Sequence, residues 1–118
     1  MLLQREGRLT EAEHLLRDAV SIQLSLYGPE HYKVGYARVS LAILLDDKAT
    51  SAPVAQAHAV HAYALEHLGK SREAAEELDA AVPILLTARG ADDPVTRRAQ
   101  LWLAGARPAS AKTASTSH

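Results

Sequence analysis

The chain has 118 residues, 13 basic and 14 acidic, for a formal net charge of −1; hydrophobic residues make up 47%, yet Phe is absent and Trp and Met occur once each. That length supports one modest domain, and the balanced charge excludes a global field that would draw it to nucleic acid or an anionic membrane. With no Cys, disulfides, thiolate catalysis and cysteine-based zinc sites are excluded. Met1-Leu2-Leu3 is too short for a signal h-region and no apolar run reaches membrane-spanning length, so a soluble, cytoplasmic protein is the expectation.

Residues 1–6 read as the last turn of a helix, ended by the permissive backbone of Gly7. Thr10 with Glu13 reads as a capping box that opens a helix to about Tyr27. Its apolar residues Leu9, Ala12, Leu15, Leu16, Ala19, Ile22 and Leu26 recur at helical spacing. Gly28-Pro29-Glu30 stops it and starts a third segment, about Glu30 to Lys48. That segment is apolar almost all round between Val39 and Leu45, as helices buried between neighbours are, so it is expected at the centre of the fold.

After a short connection capped by Ser51 or Ala52, Pro53 opens a fourth helix to about Leu68, with Val54, Ala57, His61, Ala64, Leu65 and Leu68 on one face. A fifth helix runs from about Ser71 to Ala88, with a kink expected at Pro83. Asp93-Pro94 caps a sixth, through about Ala104, bearing Val95, Ala99, Trp102 and Leu103. The run from 106 to 118 has almost nothing apolar to bury and is expected to be a disordered tail.

Gly69 to Gly90 rewrites Gly7 to Gly28. At an offset of 62, Glu11 falls on Glu73, Ala12 on Ala74, Ala19 on Ala81, Val20 on Val82, Ile22 on Ile84 and Gly28 on Gly90. Self-similarity at a fixed offset is the mark of a stacked helical array. The steps Gly7, Ala12, Leu16, Ala19 and Gly69, Ala74, Leu78, Ala81, with the joint Leu26-Tyr27-Gly28-Pro29-Glu30-His31, resemble tetratricopeptide repeats of the kinesin-light-chain-like variety. The resemblance covers roughly residues 1–105. It implies an all-α fold of antiparallel helix-turn-helix repeats stacked as a short solenoid, with about five full helices.

Two features depart from that pattern. Ala42, Ala62 and Ala104, at the small position of successive A helices, are 20 and then 42 residues apart, whereas such repeats run to about 34 residues. A deletion, or a degenerate repeat fused into the fourth helix, accounts for the short step. Relatives that clamp peptide backbones carry Asn pairs on helix A, where this chain has Val39-Ser40 and Leu101-Trp102. The chain also starts in mid-repeat, so it is expected to be the C-terminal segment of a longer array, or to self-associate through the open face of the Thr10–Tyr27 helix. Arrays of this look often form the C-terminal portion of bacterial kinases or regulators.

No nucleophile elbow, glycine-rich phosphate loop or paired-carboxylate spacing is present, so no catalytic residue and no cofactor is expected. The resemblance instead implies a protein-interaction or scaffold module with a protein or peptide partner. It places the partner-binding concave face on the A helices: Tyr36, Val39 and Asp46; Gln56, Tyr63, Glu66 and His67; Arg98, Leu101 and Trp102. Tyr, Trp and Arg are frequent interface anchors, while Trp102 equally suits a plug of the terminal core. Two rival readings stand beside it. His58 and His61, at i, i+3, reach one metal if Glu66, His67 or Asp47 completes the set, or the chain is a decayed repeat fragment without independent function.

Overall fold

A computed structural model describes residues 2–31, 35, 38, 39, 42 and 52–116, with side chains described between 8 and 107. Among the described residues there are four α-helices, packed against one another, and no strand: α1 (Leu2–Tyr27), α2 (Pro53–His67), α3 (Ser71–Arg89) and α4 (Pro94–Thr116). Most of the expected 30–48 helix lies outside the described residues.

Three helix ends fall where glycine predicts. Gly28, Gly69 and Gly90 take φ of 83°, 90° and 90°, a region that costs an L side chain dear and glycine nothing. At Gly69 the turn is closed by two backbone bonds, Gly69 N–H to the Glu66 carbonyl and Lys70 N–H to the Leu65 carbonyl (3.0 and 2.9 Å). Asp93 caps α4 as its sequence implies, its Oδ1 accepting from the Val95 N–H at 2.9 Å just ahead of Pro94 at the first helical position. The start of α2 falls on one of the two expected caps, with Pro53 as its first residue. Its cap is Ala52, in the left-handed region with no side-chain bond to the helix.

Gly7 is not a stop. α1 runs unbroken through Gly7 and Thr10, so there is no helix end at residue 6 and no new start at Thr10. A glycine in mid-helix costs only about 1 kcal/mol relative to alanine, and the helix formers on both sides, Leu2-Leu3-Gln4-Arg5-Glu6 and Arg8-Leu9, outweigh it. α4 likewise passes Ala104 and continues to Thr116, through the stretch from 106 expected to be a disordered tail. Ala106 itself is fully buried against the core, and Arg107 pairs with Asp79 of α3. α3 is continuous across Pro83, where the Thr87 hydroxyl donates to the Pro83 carbonyl (3.1 Å).

The core is built from alanine and leucine in two clusters that share α2. On one flank Ala57, Val60 and Ala64 meet Ala12, Leu16 and Ala19 of α1. On the other, Ala55, Ala59, Ala62 and Leu65 meet Ala74, Leu78, Ala81, Val82 and Leu85 of α3 and Ala99, Leu103 and Ala106 of α4. Among the described elements α2 is therefore central; the 30–48 segment, expected at the centre of the fold, lies mostly outside the described residues. The alternating small residues of α2 let three helices approach it closely. The 62-residue repeat is visible in burial: Ala12 and Ala74, Leu16 and Leu78, Ala19 and Ala81 are all buried.

Candidate functional site

With α1 on one flank of α2 and α3 on the other, two sides of α2 remain, and each gathers polar or aromatic groups. Gln56, Tyr63 and His67 lie at i, i+7 and i+11, one stripe of a 3.6-residue helix. Trp102 of α4 stacks on Tyr63 with ring centroids 4.5 Å apart and planes 23° apart. His67 meets Tyr63 edge-on at 4.2 Å and Tyr27 of α1 at 5.7 Å. Tyr27 in turn stacks on His31 at 4.5 Å. A row of five rings thus crosses from α4 over α2 to the end of α1. The side chain of Gln23, buried in the α1 flank, hydrogen-bonds the row at His67, whose Nδ1 lies 3.0 Å from its Nε2 and 3.3 Å from its Oε1.

Of the ten residues expected on an interaction face, Tyr63, His67 and Trp102 are in direct ring contact. Gln56 shares their stripe, with its Oε1 buried and unpartnered among the described residues. Glu66 is half-buried on the edge of this side, and burial raises its carboxyl above the ordinary value. Arg98 and Leu101 are exposed on α4, Leu101 to 70%, and Arg98, Leu101 and Trp102 follow i, i+3, i+4 spacing on one face. Val39 is exposed, while Tyr36 and Asp46 lie outside the described residues. Tyr27, His31 and Gln23 join this side without being among the residues that the resemblance implies for it. Gln23 and Tyr27 share a face of α1 at i, i+4, whereas the Gly28 turn breaks the helical register between Tyr27 and His31.

The opposite side of α2 carries His58 and His61. Helical spacing does place them together, but their companions are not Glu66 or His67, which project from other sides of the same helix; Asp47 lies outside the described residues. Both rings turn their Nδ1 to Glu77 of α3: His58 Nδ1 is 2.6 Å from Oε2, and His61 Nδ1 is 3.0 Å from each oxygen. From the other side Asp18 of α1 reaches His61 Nε2 at 2.6 Å, and Glu11 stands 3.9 Å from His58 Nε2. A carboxylate on each nitrogen favours the protonated form of His61. The hydrogen bond to Glu77, helped by Asp18, raises its pKa above the ordinary histidine value against the opposing effect of burial. Among the described residues no group of three or more His, Asp or Glu is arranged to hold a metal ion.

Beside this cluster a cavity of about 500 Å³ opens between α1, the start of α2 and α3, walled by Pro53, Val54, Ala80, Ala81 and Ile84 and rimmed by Arg8, Glu11, His58 and Glu77. No described helix is long and apolar enough to cross a membrane. No protein-family model, no curated protein and no solved structure gives a significant match to the chain.

Proposed function

We propose that the chain is a short tetratricopeptide-like solenoid that works as a soluble, non-catalytic scaffold and binds a protein or peptide partner across the α2–α4 side. What supports this reading is the order of packing: α2 packs against α1 and α3, α3 against α4, and α2 touches α4 directly but lightly. In a stack of helix pairs the first helix of each pair contacts its own partner, the preceding second helix and the next first helix. With α1 and α3 as second helices and α2 and α4 as first helices, all three contacts are present. The 62-residue equivalence of α1 and α3 assigns those roles independently. The two first helices bear Tyr63, His67, Leu101 and Trp102, and aromatic side chains there suit a partner that buries apolar or planar groups.

A photo-crosslinking residue placed at Leu101, which is exposed on that side, tests the proposal in cells against the same residue at Thr87, exposed on α3. A discrete crosslinked protein from Leu101 and not from Thr87 is expected; sedimentation separates a second copy of the chain from a different protein. Identical crosslinking patterns from the two positions, or none from either, would overturn the assignment of this face.

A further inference from the structure

We propose that the cluster centred on His61 is a proton-operated clasp that governs how firmly α1 docks on the α2–α3 pair. Three helices meet at this one side chain: Asp18 from α1 on Nε2, Glu77 from α3 on Nδ1, and α2 carrying the ring itself. A neutral imidazole donates from one nitrogen only, so it satisfies one carboxylate and turns a lone pair on the other. Only the doubly protonated ring serves both. The geometry therefore favours the protonated ring, and the contact it sustains runs between α1 and α3, helices that share no direct packing of their own.

The groups around the clasp sharpen its response. From α1, Glu11, His14 and Asp18 face it, and Arg8 stands at the far end beside His58; α2 adds His58 and α3 adds Glu77. Among the described residues, Glu77 and Asp18 pair with histidine and not with Lys or Arg. When His61 loses its proton, two carboxylates, Glu77 and Asp18, are left facing a neutral ring that can donate to only one of them. The apolar contact that remains to α1 is the smaller of the two clusters, Ala12, Leu16 and Ala19 against Ala57, Val60 and Ala64. Among the described helices α1 packs on α2 alone, and an element with a single neighbour is the one a local ionic change releases first. α4 has no part in the clasp and serves as an internal control.

The sign follows from linkage. Because the folded protein holds the proton more tightly than the unfolded chain, the stabilisation is fully present below the ordinary histidine value, about 6.5. It is lost as pH rises through the higher folded value.

Histidine-selective NMR titration of the full chain, with amide hydrogen exchange corrected for intrinsic pH dependence, tests this. The His61 ring is expected to titrate with a midpoint above about 6.5, and amides around Asp18 to shift with that same midpoint. For each pH unit by which the midpoint lies above the unfolded value, protection of α1 should fall about tenfold across the titration. Protection of α4 should stay level. Asp18→Asn should lower the midpoint while leaving the fold intact, because Asp18 is exposed. A midpoint at or below the ordinary value, an unmoved midpoint in Asp18→Asn, or α1 amides that ignore the titration would overturn the proposal.

Discussion

Leu16 and Leu78 occupy equivalent places in the repeat, and truncating each to alanine distinguishes a layered array from a single undivided core. Leu78 is 0% exposed and sits within the cluster shared by α2, α3 and α4. A cavity there is walled by packed helices that have little room to relax, so Leu78→Ala should cost about 3–4 kcal/mol. For a domain of this length, with a total stability of about 5–15 kcal/mol, that is a large fraction. Leu16 is nearly as buried, but its cluster joins only α1 and α2 and is edged by the partly exposed Leu9, Leu15, Val20 and Val54. Those neighbours can settle into the gap, so Leu16→Ala should cost about 2–3 kcal/mol. The two losses should also differ in kind. In urea titrations, Trp102 fluorescence reports on α2–α4 and far-UV circular dichroism on all helices. Leu78→Ala should move both transitions together, whereas Leu16→Ala should move the helix signal more than the Trp102 signal, because stability in a stack is a sum over neighbouring layers. A loss below about 1 kcal/mol at Leu78, or equal displacement of both probes by Leu16→Ala, would refute this account of the packing.

Gly69→Ala meets no atom within 4 Å of the added Cβ, so its cost is that of the positive φ alone, about 1–2 kcal/mol by urea denaturation; a neutral result would mean the turn rearranges. Asp93→Ala removes the cap of α4 and should destabilise by about 1 kcal/mol. The Arg89 hydrogen bond and the Val95 N–H hold the Asp93 carboxyl below its ordinary value, so this contribution is present above that value and lost on acidification through the folded one. Wild type and Asp93→Ala should therefore converge in thermal stability at low pH, and a constant gap would contradict the assignment.

The helical spacing of small and large residues determined the Thr10–Tyr27 part of α1, α3 and the equivalence of their buried positions, because periodicity reports which face a helix must bury. Glycine and proline placed three of the helix ends, since Gly28, Gly69 and Gly90 act through backbone freedom that is local. Gly7 aligns with Gly69 in the repeat and yet lies inside α1, and α4 continues past Ala104. A breaker's cost is small and the surrounding residues settle it. The spacing also put His58 beside His61, and Tyr63 in line with His67. Which residues answer them was decided by tertiary structure alone. Glu77 and Asp18 come to His61 from separate helices, and Trp102 comes to Tyr63 from a third. Contacts of that kind depend on the crossing and register of packed helices, to which no single stretch of sequence holds the key. The centrality of α2 arose in the same way. Its alanines look unremarkable in line, and only with α1, α3 and α4 gathered round them is their smallness what allows the approach.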